Sequence, residues 1–271
     1  MECLSPVIIT QDDSRGVRRV PVPCGKCAAC LSNRRSDWAF RLEMELKYCK
    51  SCAYFVTITY DDEHLPRAEN GTPTLCKRDV QLFFKKFRKE FPDEKLRYFL
   101  VGEYGTDFKR PHYHFLLFGV HCDLASFQAR LGVWRNGYYY VGTVTPRSIR
   151  YCANYCISVG DEPEGAEPVF CLMSKGLGKR YIDRFGDWNR AGQRFYSVPY
   201  KGEFRRLPRF YRDRIFDDSD IRRHGEEVQK DKQIERQEFI DNNTDWARLE
   251  VAQREAFVAR AKKRLVKSHK F

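Results

Sequence analysis

The 271-residue chain lacks any apolar run approaching the roughly 18 residues that a membrane-spanning helix needs. Its first residues, MECLSPVIITQDDSRG, carry no cationic start followed by an apolar stretch, so no secretory signal and a cytosolic setting are expected. No internal repeat is present. Acidic residues are in the minority: 37 Asp and Glu face 49 Lys and Arg, a net charge of +12. A surface of that sign points to a polyanionic partner, because Lys and Arg release counterions from phosphate backbones; simple solubility is the bland alternative. Cysteine is abundant instead, at 11 residues. With no secretory signal these thiols are expected to stay reduced, which favours metal binding or buried thiols over disulfides.

The patterning predicts an α+β fold. Residues 1–22 read as an irregular arm, and a helix is expected from about Ser32 to Lys47. CAYFVTITY (52–60) is rich in β-branched and aromatic residues and reads as a strand. Val80, Phe83, Phe84 and Phe87 recur at i, i+3, i+4 and i+7, one face of an amphipathic helix. RYFLVGEYG (97–105) and HYHFLLFG (112–119) read as two further strands, paired antiparallel across a short connection. A short helix over 124–131, a strand from about Tyr138 to Val144 and a helix after Pro146 follow. This order predicts a split β-α-β arrangement on a mostly antiparallel sheet, with helices on one face and the other face left available. From 216 to 271 the chain is almost continuously charged. It reads as a long solvated helical tail, either lying along nucleic acid or a surface helix with no special role.

Six histidines are few, and two of them, His112 and His114, stand one residue apart. Strand side chains alternate faces, so this pair projects to one side while Tyr113, Phe115 and Leu117 project to the other. Two imidazoles on a strand can hold a divalent cation, and Glu103, at the end of the preceding strand, is placed to be a third ligand. Ordinary hydrogen bonding of both histidines is the alternative. Lys109 and Arg110 put positive charge beside the pair.

SIRYCANYCISV (148–159) carries an apolar helical stripe of Ile149, Cys152, Ala153, Cys156 and Ile157. At about 100° per residue, Tyr151 and Tyr155 lie one turn apart and nearly opposite that stripe. Two adjacent phenols near a metal site suggest nucleophiles, although a free phenol, of pKa about 10, needs a cation beside it. Base stacking or packing against a second layer would serve equally. Cys24, Cys27 and Cys30 have the spacing of metal-binding thiolates, with Cys49 or Cys52 as the fourth ligand of a structural zinc site; reduced thiols without metal are the alternative.

The blocks FVTITYDDEHLP, VGEYG, PHYHFLLFG and YCANYCIS resemble HUH rolling-circle replication initiators, above all those of microviruses, the small single-stranded DNA bacteriophages, and among these the gokushovirus-like ones. PCGKCAAC, LMSKGLGKRYIDRFG and LPRFYRD also look like that family, so the resemblance runs from Pro23 to Arg212. It implies an endonuclease domain over 23–215, between the arm and the tail. It implies that Glu103, His112 and His114 hold Mg²⁺ or Mn²⁺ and that Tyr151 and Tyr155 are paired nucleophiles. One would cut single-stranded origin DNA and keep the 5′-phosphate, and the strand ends would later be rejoined. The freed 3′-hydroxyl would prime a host polymerase in the bacterial cytoplasm, and a host helicase is a further possible partner. The family often places a lysine beside the second tyrosine. This sequence has Asn154 before it and Ile157-Ser158 after it, which leaves Arg150, Lys175 and Lys179 as candidate phosphate-binding cations. A non-catalytic, zinc-stabilised DNA-binding protein is the competing reading.

Overall fold

In the computed structural model, residues 3–13, 16–49, 51–105, 107–155, 162–199 and 202–266 are described. Two compact units divide the chain. One is Trp38–Arg180; the other combines Met1–Asp37 with Tyr181–Phe271.

The first unit is a five-stranded sheet built from β3 (Cys52–Tyr60), β4 (Arg97–Tyr104), β5 (Pro111–Val120), β6 (Gly137–Thr143) and β7 (Phe170–Met173), in the order β6-β3-β5-β4-β7. Every pairing is antiparallel. Helix α2 (Lys77–Phe87) connects β3 to β4 with β5 between them, and α3 (Leu124–Leu131) connects β5 to β6 with β3 between them. Two interlocked split β-α-β units result, as the sequence pattern predicts.

Alternation along the central strand β5 sorts the interior. Tyr113, Phe115 and Leu117 join Val56, Ile58, Leu100 and the α2 residues Val80, Phe83, Phe84 and Phe87 in one core cluster. All four members of the α2 stripe are buried. Phe84 meets Phe115 edge-on at 5.3 Å between ring centroids, a geometry that contributes about 1 kcal/mol beyond burial. Helix α3 starts at Asp123, whose carboxylate accepts the Ser126 N–H at 2.9 Å, and buries Phe127 and Leu131 in the same cluster.

The opposite face of the sheet is covered too, contrary to expectation. Leu42 of α1 (Ala28–Tyr48) and Ile149 and Cys152 of α4 (Pro146–Tyr155) pack there with Phe99, Val101, Leu116 and Phe118. The physical reason lies in β5: all but two of its ten residues are buried, and a strand that is apolar on both sides needs a layer on each. Cys156 and Ile157, the far end of the expected α4 stripe, lie outside the described residues.

In the other unit the supposed irregular arm is an antiparallel hairpin, β1 (Val7–Asp13) with β2 (Gly16–Val22), in register from Val7–Val22 to Asp13–Gly16. Pro21 masks the strand signal of β2, since proline is tolerated only at strand edges and ends. Helices α5 (Arg180–Ala191) and α6 (Arg209–Ile215) follow. The charged tail forms two helices, α7 (Asp218–Asp241) and α8 (Trp246–Val266). Asp217 caps α7 through the Asp220 N–H at 2.8 Å. No helix is long and apolar enough to cross a membrane among the described residues.

Candidate active site

Register brings the polar residues of the first unit together. Glu103 stands directly opposite His112, and Val101 opposite His114. Alternation then puts Glu103, His112 and His114 on one face, beside α4. Nε2 of each histidine lies 2.8 Å from Glu103 Oε1, and the three groups offer donor atoms all within 4.8 Å of one another. Glu103 is 2% exposed and His114 8%. Glu103 Oε2 is buried and has no hydrogen-bond partner among the described residues. An orphaned buried carboxylate oxygen beside two imidazole nitrogens fits a divalent cation better than it fits a metal-free core.

The outer partners orient the rings. His112 Nδ1 donates to the Arg110 carbonyl at 3.1 Å, and Thr57 Oγ1 lies 2.7 Å from His114 Nδ1. With Nδ1 engaged, Nε2 of each ring is left facing the site, the usual support for a metal-binding histidine. Thr57 is a functional partner that motif reading missed. Its signal was the register, since Thr57 pairs with His114 across β3 and β5.

The electrostatics follow from this packing. Burial opposes ionisation of Glu103, yet hydrogen bonds from His112 and His114 outweigh it and hold the carboxyl below its ordinary value. Burial also works against the His112 cation, but the bond to Glu103 prevails and raises it. For His114 burial wins, and its pKa is lowered.

Tyr151 donates to Glu103 Oε1 at 2.7 Å and lies 3.3 Å from His114 Nε2. Tyr155 donates to the Tyr151 hydroxyl at 3.3 Å. Burial, then the Glu103 charge, push the Tyr151 phenol far above its ordinary value. Both rings pack against the sheet-facing cluster, with Tyr151 edge-on to Phe55. They therefore flank the buried stripe of α4 and do not stand opposite it. The aliphatic pattern misplaced them because a tyrosine ring is apolar along its body and polar only at its tip.

The basic residues scatter. Lys109 and Arg150 are exposed. Arg110 is held by Asp62 at 2.7 Å and by the Tyr60 carbonyl at 2.8 Å. Lys175 and Lys179, also exposed, do not reach the tyrosines. Gly176 binds Arg97 through its carbonyl, and Arg97 is six residues along β4 from Glu103, about 20 Å at the strand rise.

A second cluster lies in the other unit. The thiols of Cys3, Cys24, Cys27 and Cys30 all lie within 4.8 Å of one another, with Cys3 Sγ and Cys27 Sγ 3.8 Å apart. Backbone N–H groups point at the sulfurs: Cys27 to Cys24 at 3.3 Å, Cys24 to Cys3 at 3.2 Å and Leu4 to Cys27 at 3.4 Å. Burial pushes the Cys27 thiol up, but N–H bonds from Cys30 and Leu4 outweigh it and bring it down to about 6. Cys30 is pushed up to about 12, chiefly by burial. The fourth thiol is thus Cys3, and not the expected Cys49 or Cys52. Those two lie past the far end of α1, about 28 Å from Cys30 at 1.5 Å per residue. Cys49 instead meets the Ser51 hydroxyl at 3.1 Å.

Residues 53–158 match the family model described as replication-associated protein ORF2/gene II protein. The chain is 31% identical to the replication-associated protein ORF2 of Spiroplasma virus 4, over 59% of this chain and 57% of that protein. It is 29% identical to the replication-associated protein VP4 of Bdellovibrio phage phiMH2K, over 70% and 66%. To the replication-associated protein ORF4 of Chlamydia phage 1 it is 28% identical, over 50% and 37%. The chain thus spans less than two thirds of the length of each of these relatives. No solved structure matches it. The matched segment contains Glu103, His112, His114, Tyr151 and Tyr155, and through it the chain belongs to this family of replication-associated proteins.

Proposed function

We propose that this protein is a replication initiator that cuts single-stranded DNA at an origin through a tyrosine, keeps the 5′-phosphate as a covalent adduct, and later rejoins the ends in rolling-circle replication. The observation that carries this reading is the Tyr151 hydroxyl, 2.7 Å from Glu103 Oε1 and 3.3 Å from His114 Nε2.

The donor set of one carboxylate and two imidazoles, with an unsatisfied buried oxygen, fits a hard divalent cation such as Mg²⁺ or Mn²⁺. When bound, such a cation supplies positive charge to a phosphate oxygen and offsets the carboxylate charge that holds the phenol protonated. Glu103 and His114 orient the Tyr151 hydroxyl and receive its hydrogen bond. The phenol oxygen attacks the phosphorus, the bond from phosphorus to the 3′-oxygen breaks, and that oxygen leaves as a 3′-hydroxyl, which a host polymerase can extend. Tyr155, one helical turn on, is the second nucleophile, so cutting and rejoining alternate without release of the DNA. The phage relatives support a working place inside a bacterial host.

The cysteine cluster fits structural zinc. Sulfurs about 2.3 Å from a tetrahedral zinc ion are about 3.8 Å apart, the spacing of Cys3 and Cys27. Its role is to join the base of the β1–β2 hairpin, which Cys3 and Cys24 flank, to the start of α1.

The test is incubation with single-stranded origin DNA and Mn²⁺, followed by denaturing electrophoresis. A protein–DNA adduct that disappears in the Tyr151→Phe, Tyr155→Phe double variant supports the reading. If the parent chain forms no adduct under any metal condition, a non-catalytic DNA-binding protein remains.

A further inference from the structure

Strand β6 is one edge of the five-stranded sheet and carries three consecutive tyrosines, Tyr138, Tyr139 and Tyr140. Register decides where they stand. Thr57 pairs with His114 on one side and Tyr140 on the other, and Thr59 pairs with His112 and Tyr138. Residues directly opposite on neighbouring strands share a face. Tyr138 and Tyr140 therefore stand on the face that carries the two histidines, two strands away, or about 10 Å at ordinary strand spacing. Tyr139 pairs with Ile58 and belongs to the other face.

Both rings are open to solvent: Tyr138 is 69% exposed and Tyr140 68%. A single exposed aromatic needs no explanation. Two on one face, beside a site of this chemistry and with exposed arginines at Arg135 and Arg150, do. We propose that Tyr138 and Tyr140 form a stacking platform for the bases of single-stranded DNA next to the phosphate held at Tyr151. The proposal rests on the cleavage reading of that site. Unpaired bases have free π-faces that aromatic side chains bind without sequence preference, whereas a duplex hides them. The two rings are about 7 Å apart along the strand, which lets successive unstacked bases each meet one ring. The positive surface suits the accompanying phosphates.

The experiment uses the full chain and a fluorescein-labelled oligothymidine, read by anisotropy at several salt concentrations without added Mg²⁺ or Mn²⁺. Tyr138→Ala and Tyr140→Ala are each expected to weaken binding about 10-fold, the Phe variants about 2-fold or less, with the salt slope unchanged. Their high exposure leaves the core intact, which thermal unfolding verifies. Parental affinity in the double alanine variant overturns the platform. So does a loss accompanied by a flatter salt slope, which assigns the effect to charge. If the alanine variants change only the oligomeric state, the strand edge pairs with a second copy and the proposal fails. Adduct formation by the parent chain is scored separately; its absence sinks the cleavage reading and leaves the binding comparison standing.

Discussion

Thr57 and His114 face each other across β3 and β5, with the threonine hydroxyl 2.7 Å from Nδ1 and the opposite nitrogen, Nε2, 2.8 Å from Glu103. This contact sets the orientation of the imidazole without touching any ligand. Thr57→Val keeps the shape and removes the hydrogen bond. It is expected to weaken Mn²⁺ binding by about 10- to 100-fold, measured by calorimetry, while His114→Ala removes binding altogether. Unchanged Mn²⁺ affinity in both variants would place the metal elsewhere.

The tyrosines differ in their distance from the carboxylate. Tyr151 bonds Glu103 itself, whereas Tyr155 reaches it only through the Tyr151 hydroxyl. On the proposed reading, Tyr151→Phe reduces adduct formation by about 100-fold or more, the scale set by removing a positioned nucleophile. Tyr155→Phe retains a single adduct but loses the second cut. Quantified gels of both single variants decide this, and the reverse ranking would reassign the roles.

Cys3 completes the thiol cluster across the hairpin. Cys3→Ser is expected to lose bound zinc, measured by a chromophoric chelator on the unfolded protein, and to make the segment before α1 sensitive to protease. Structural zinc contributes folding energy directly, so a lower Tm accompanies the loss. A parent chain purified without any zinc, and stable, refutes the assignment.

Gly119 lies between the Cys52–Val120 and Ala53–Phe118 pairs, at a shift of register in β5. Its φ is +92°, and a Cβ there would lie 2.7 Å from the Lys95 carbonyl oxygen. Gly119→Ala is therefore expected to cost about 2 kcal/mol or more, read from urea unfolding. A variant as stable as the parent would mean that the bulge relaxes freely.

Periodicity carried the sequence reading furthest where one element meets one core. The α2 stripe and the alternation about Tyr113 needed only local spacing, and the histidine face followed from it. Other features depend on partners distant in sequence. The second covering layer was hidden because Leu42, Ile149 and Cys152 sit on helices whose spacing names no target. Cys3 escaped because the 20 residues before Cys24 were read as irregular, and only the hairpin returns the chain to bring them together. The four residues of β7 were too few to register as a strand. Tyr138 and Tyr140 were visible as letters, but their face is set by pairings on both sides of β3.

Both phenols of the site ride on α4, one turn apart. A helix moves as a stiff rod, so any tilt carries the two rings together and preserves their order relative to Glu103. On the proposed reading, the helix cannot exchange one nucleophile for the other by shifting. The choice between them passes to the substrate: whichever strand end is threaded toward a given ring determines whether the chain opens a circle or closes one.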